Sequence, residues 1–299
     1  MGIVKKKTKA EIDAYGLAEL GWDRVPTDIV EKSVTALMDL KGKKAIVTGA
    51  GGYGLGQACA NRLASLGADV ALVGHSSLER TEANAEVVRR RWNAKAIAVV
   101  GELTDYADTE RVFAECHERL GGIDILINNS VAVSVGDFAA MSPAAIDHCV
   151  AGSFTMLTYC CRVVLDYMMP QRSGRIINIS SIGGRAYHPN IALYNACKAG
   201  VIGLTRTLGA ELISHGIRVN GVCPGVMLHD NLRAAFENPT DDPHNFYARE
   251  AVIQGFEYAA EGRVSLPEEV ANMVAFLCTD AATYIVGQNF NHAGGQVLL

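Results

Sequence analysis

No apolar run in this 299-residue chain reaches the roughly 18–20 residues that a membrane-spanning helix requires, so no membrane partner is expected. Positive charge is not in excess either. Twenty-seven Lys and Arg stand against 32 Asp and Glu, and the formal charge of −5 argues against a nucleic-acid partner. The eight cysteines form no Cys-x-x-Cys pair, and only Cys160 and Cys161 are adjacent. That pattern excludes a zinc-ribbon or disulfide framework, predicts no metal, and fits reduced thiols in a cytoplasmic protein. The stretch Met1–Ala10 is lysine-rich without an apolar segment, so it is read as a solvated tail and not as a secretory signal. With 49% hydrophobic and 20% charged residues, the chain can bury a large core.

Apolar segments of strand and helix period alternate along the sequence. Strands are predicted at 43–48, 68–73, 96–100, 123–128, 175–180, 217–223 and 288–291, and helices at 57–66, 78–92, 106–120, 143–168, 192–214 and 267–278. This order predicts an α/β fold, a single-domain doubly wound parallel sheet over 42–299. Residues 1–41 precede the first strand as an N-terminal helical extension, with helices expected at 9–20 and, after Pro26-Thr27-Asp28, at 29–40.

Between the first strand and the first helix lies Gly49-Ala50-Gly51-Gly52-Tyr53-Gly54-Leu55-Gly56. Glycines there let backbone approach a pyrophosphate, and the helix start supplies free N–H groups and the positive end of a dipole. Gly49, Gly74, Asn129, Ser181 and Pro224 all fall at predicted carboxyl ends of strands, where one crevice is expected.

A second constellation sits further along. Tyr194 and Lys198 are four residues apart on a predicted helix and therefore share a face. Ser181 ends the preceding strand, thirteen residues upstream of the tyrosine. An ammonium beside a phenol lowers its pKa and suits it to proton transfer near neutral pH. A serine hydroxyl can hold a carbonyl or alcohol oxygen against it.

Taken together, Thr48-Gly49 through Gly56, Asn128-Asn129, Ser181, Tyr194, Lys198 and Pro224-Gly225 resemble the short-chain dehydrogenase/reductase family, as does the tail from Gly262 to Gly295 with Pro267-Glu268-Glu269 and Gly287-Gln288. The resemblance spans about residues 41–299. It implies a Rossmann-like fold and an NAD(P)-dependent oxidoreductase that interconverts an alcohol and a carbonyl. Ser181, Tyr194 and Lys198 would be catalytic, with Tyr194 as acid or base. Gly49, Tyr53, Gly54, Leu55, Gly56, His75, Ser76, Ser77, Glu102, Leu103, Asn129, Tyr194, Lys198, Pro224 and Gly225 would hold the cofactor. It also implies a homodimer or homotetramer. A catalytically silent cofactor-binding subunit and a lyase or epimerase on the same fold are the rival readings.

At the tip of the second strand, Gly74 stands where NAD-preferring relatives carry Asp, and His75, Ser76 and Ser77 follow. NADP(H) is therefore favoured, with NAD(H) possible. Arg80 is read as a solvated surface residue. The sequence departs from the family at several places, among them Glu102 for the commoner Asp and Ser130-Val131 after Asn129 where Ala-Gly is usual. The glycine loop is one residue longer, with Tyr53 in place of a glycine. Cys149, beside His148, replaces an asparagine of the central helix. His229 stands where a threonine commonly follows Pro-Gly. Segment 226–262 is expected to cover a small-molecule substrate. Its Arg233, Phe236, His244, Phe246, Tyr247 and Arg249, with Tyr187 and His188 upstream, leave the substrate open.

Overall fold

The computed structural model describes residues 8–16, 27–240 and 242–298. The chain divides into two units, 1–37 and 38–299. In the first, Thr8 and Glu11 form a reciprocal capping box that starts a helix at Lys9. This helix ends at Asp13, short of the expected 9–20, whose last four residues lie outside the described ones. The expected helix at 29–40 is also broken up. A 3-10 turn spans Thr27–Val30, and Ser33 then caps a single helical turn at Val34–Leu37 by accepting from Ala36 N. Helices this short have too few hydrogen bonds to sustain themselves without a packed face.

The second unit carries a seven-stranded sheet. In chain order the strands and helices are β1 (Lys44–Thr48), α1 (Leu55–Ser65), β2 (Asp69–Gly74), α2 (Leu78–Trp92), β3 (Ala96–Val100), α3 (Tyr106–Leu120), β4 (Ile125–Asn128), α4 (Pro143–Gln171), β5 (Gly174–Ile179), α5 (Ala192–Leu212), β6 (Ile217–Pro224), α6 (Asp230–Glu237), α7 (Pro243–Tyr258), α8 (Pro267–Cys278) and β7 (Asn289–His292). The spatial order is β3-β2-β1-β4-β5-β6-β7, and every pairing is parallel. The doubly wound α/β sheet expected from the alternation is what the chain forms.

Period-2 alternation splits the core in two. Ala45, Val47, Val70 and Leu72 pack under α1, α2 and α8. Ile46, Ala71, Val73 and Leu126 pack under α3, α4 and α5. A strand covered on both faces has no solvated side, which is why β1, β2 and β4 read as near-continuous apolar runs. α4 is long and apolar enough in composition to cross a membrane. It packs instead on β4, β5 and α3, with Leu157, Cys160, Val164 and Met168 in the core.

α4 is not uniform. Residues Ala151–Thr155 form a π turn, one residue wider than an α turn. Gly152 O accepts from Ala132 N at 3.2 Å, and the Ser153 hydroxyl donates to Ala132 O. A Cβ on Gly152 would lie 2.4 Å from the Ala132 side chain. The π turn therefore pins the loop that leaves β4 against the helix. β1 and β4 are neighbours, although their helices run to opposite faces, so a crevice opens between their carboxyl ends.

Candidate active site

The carboxyl end of β1 is built around Thr48, which is 1% exposed. Its hydroxyl accepts from Asn129 N at 3.0 Å and Ser130 N at 3.1 Å, and donates to Ile127 O. The Asn129 amide returns two bonds, to Thr48 O at 3.0 Å and Gly49 O at 3.3 Å. Gly49 has φ +68 and no room for a Cβ, which would sit 2.8 Å from the Asn129 amide nitrogen. The start of α1 at Gly54 has no side-chain cap, so its first N–H groups are left for a ligand.

The glycine loop has a support that the sequence reading missed. Asn84 of α2 is 1% exposed and donates to Ala50 O at 2.9 Å and Gly52 O at 3.1 Å, while accepting from Gln57 at 3.1 Å. The signal was present: Thr81, Asn84, Ala85 and Val88 fall on the buried face of the helix, where an asparagine needs a partner. Asn84→Ala leaves both loop carbonyls without that donor. We expect it to weaken nicotinamide-cofactor binding about tenfold with the fold retained, as read by fluorescence titration and circular dichroism.

A crevice of about 620 Å³ opens above these elements. Gly49, Tyr53, Leu55, Gly74, His75, Ser76, Ser77, Glu102 and Asn129 line it, whereas Ser181 and Pro224, expected in the same crevice, are not among its lining residues. Gly54 shapes the loop from beside it, with φ +152. Gly56 lies underneath, where a Cβ would come within 2.4 Å of Gly49 O. Leu103 is buried in the core below Glu102. Pro224 ends β6, and Gly225 N donates to His292 O at 3.0 Å. An uncapped helix start, open glycines and a carboxylate beside the tip of β2 fit a dinucleotide.

Arg80 is exposed, as a solvated surface arginine would be, and it also lines the crevice. His148 and His229 line it as well. A Cβ on Gly54 would lie 3.9 Å from that of His229, which sets this histidine against the glycine loop. His75, expected to face a phosphate, pairs with Glu102 at 2.7 Å. Glu102 also accepts from the Thr104 hydroxyl at 2.6 Å and its N–H at 3.0 Å. The Thr104 hydroxyl leads the groups that hold its carboxyl below the usual range, with His75 adding to the effect. The Ser77 hydroxyl accepts from Arg80 N at 3.2 Å as the cap of α2.

Ser181, Tyr194 and Lys198 converge beyond the end of β5. α5 is clamped there by two bonds: the Ser180 hydroxyl donates to Lys198 O at 2.7 Å, and Lys198 Nζ donates to Ile179 O at 2.8 Å. Ser181 Oγ accepts from Gly183 N at 3.0 Å, and the serine lies near enough to the Tyr194 phenol to favour its ionised form. Lys198 Nζ lies 5.6 Å from the centroid of the Tyr194 ring.

The electrostatics run opposite to the sequence expectation. Burial raises the Tyr194 pKa above its ordinary value, and the nearby Ser181 only partly offsets this. Lys198 is 3% exposed, and burial pushes its pKa from 10.5 down to about 8. The i, i+4 spacing brings the pair together as expected. Desolvation, which spacing cannot reveal, weakens the amine's hold on its proton. Cys149, which the sequence resemblance sets in the place of the family asparagine, is fully buried, and its thiol helps to raise the pKa of Cys197, the residue before Lys198, after burial itself. Among the described residues, no group of three or more His, Cys, Asp or Glu is arranged for a metal.

The model of the family described as short chain dehydrogenase matches residues 43–240. The chain belongs to the short-chain dehydrogenase family. A 3-oxoacyl-[acyl-carrier-protein] reductase of Synechocystis sp. is 35% identical, over 87% of this chain and 98% of that one. A short-chain type dehydrogenase/reductase from Mycobacterium marinum superposes with TM-score 0.80 at 26% identity, over 89% of this chain and 100% of the other. A 7α-hydroxysteroid dehydrogenase complexed with NADH and 7-oxo glycochenodeoxycholic acid superposes with TM-score 0.77 at 26% identity, over 88% and 98%. The protein is accordingly an NAD(P)-dependent oxidoreductase.

Proposed function

We propose that this short-chain dehydrogenase reduces the carbonyl of a small molecule to an alcohol, with Tyr194 as the acid, Ser181 as the oxygen-holding group and Lys198 as their neighbouring amine. The observation that carries this reading is the meeting of the three side chains at the end of β5, next to the strand whose tip lines the cofactor crevice. Bound nicotinamide supplies a hydride to the carbonyl carbon. Ser181 Oγ holds the carbonyl oxygen by hydrogen bond as negative charge grows on it. Tyr194 gives that oxygen its proton. A phenol kept protonated by burial suits the donor's part in reduction.

The glycine loop, the uncapped start of α1 and Asn129 would hold the pyrophosphate end. His75, Ser76, Ser77 and Arg80 support NADP(H) through the hydrogen bonds and positive charge they offer a 2′-phosphate, and Glu102 supports NAD(H) through its carboxylate. NADP(H) remains the favoured cofactor because Arg80 adds a cation to the crevice wall. Segment 226–262 would cover the substrate, with α6 and α7 as its body. The 3-oxoacyl and 7-oxo compounds in the relatives' names suit a carbonyl substrate. A homodimer or homotetramer in the cytoplasm completes the reading, in keeping with eight free, buried thiols.

A panel of ketones assayed in parallel with NADH and NADPH tests this function. Loss of reduced-nicotinamide absorbance, faster with NADPH, is the expected result. Binding of cofactor with no turnover on a broad panel removes the reductase reading, and faster turnover with NADH reverses the cofactor assignment.

A further inference from the structure

The segment that covers the substrate is pinned at its base, and the chain's last residues do the pinning. At its entry, Leu228 N donates to Ser265 O at 2.8 Å, Ser265 N donates to Val226 O at 3.2 Å, and Met227 bridges Ser265 in parallel. At its exit, Glu261 N donates to Gly294 O at 3.0 Å. Between entry and exit lies Gln296. Its Nε2 donates to Gly255 O, near the end of α7, at 2.6 Å. On its other side a Cβ on Gly225 would come within 2.4 Å of Gln296 Oε1. Gly255 is equally tight, since a Cβ there would lie 2.7 Å from Val226 Cβ and 3.3 Å from Gln296 Nε2. Gln296, Gly225 and Gly255 thus form one three-way contact among the C-terminal loop, the turn after β6 and the cover.

We propose that Gln296 is a positioning residue that fixes the last turns of α7 against the Pro224-Gly225 turn, so that the C-terminal loop sets where this end of the substrate cover lies. This rests on the reading of 226–262 as the substrate cover. The amide is the tie, because the two glycines leave no side chain of their own to make one. In α6, Arg233 pairs within the helix, with Glu237 at 2.9 Å.

Gln296→Met keeps the length and removes the amide, and Gly255→Ala forces the same contact apart without touching it. Hydrogen exchange by mass spectrometry, cofactor titration and steady-state kinetics on the best ketone of the panel are compared with wild type. For both variants we expect faster exchange confined to 243–262, a roughly threefold to tenfold rise in KM for the ketone, kcat within about twofold, and an unchanged cofactor Kd. Unchanged exchange at 243–262 in both variants overturns the proposal. So does acceleration spread equally over β1, β4 and β5, which marks general destabilisation. If wild type turns over no ketone, the reductase reading fails, and the exchange result alone still decides whether Gln296 holds α7.

Discussion

Tyr194→Phe is expected to lower turnover by roughly 100-fold to 10,000-fold, the usual contribution of a positioned proton donor. Only one oxygen is removed. The ring keeps its place in α5, and the Lys198 amine keeps its bond to Ile179 O. The cost to folding is therefore small, since the phenol oxygen acts chiefly on Ser181 beside it. Cofactor affinity, measured by fluorescence titration, stays within about twofold because the glycine loop, Thr48, Asn84 and Asn129 are untouched. Wild-type turnover in the variant removes Tyr194 from the proton-transfer step, and loss of cofactor binding shows that the phenol serves the cofactor instead.

Lys198→Met is expected to stabilise the protein while reducing turnover about 100-fold or more. The folded-state pKa of about 8 lies below the ordinary 10.5. The unfolded chain therefore binds this proton more tightly than the native one. Wild-type stability accordingly rises as pH climbs from about 8 to 10.5, and the full penalty of burying the charge applies below 8. At 1.36 kcal/mol per pKa unit that penalty is about 3 kcal/mol. Losing the bond to Ile179 O costs about 1 kcal/mol in return. The net gain of about 2 kcal/mol at pH 7 corresponds to a Tm higher by about 5 °C. The stability difference between variant and wild type should shrink as pH is raised through that window. A Tm that falls, or a difference independent of pH, contradicts a desolvated amine at this position.

The parts of the fold legible in the sequence were those set by period and punctuation. Strands covered on both faces gave short apolar runs, and the Gly67, Asn93 and Gly121 positions ended their helices in the left-handed region. Hence every strand of the sheet was found, with β2, β5 and β7 shifted by one residue and β4 starting two residues later than expected. The convergence of Ser181, Tyr194 and Lys198 was legible because each falls at a strand tip or on one helix face. Long-range burial was not. The depressed Lys198 pKa, the raised Tyr194 pKa and the Asn84 support all depend on what packs around a group from distant segments. The π turn at Ala151–Thr155 leaves no mark in apolar period alone. The fragmented helices before Met38 show the converse, a helical pattern without enough length or packed surface to hold it.

The bridge between Met227 and Ser265 brings the two ends of a long excursion together at the sheet's rim. Everything between them is inserted at a point where the chain already closes on itself. The core strands therefore do not register its length or sequence, and lengthening it adds loop-closure entropy only logarithmically. A stretch grafted between Met227 and Ser265 would leave the strands of the sheet their own sequence, yet it would still have to meet Gln296 and Gly294, which hold Gly255 and Glu261.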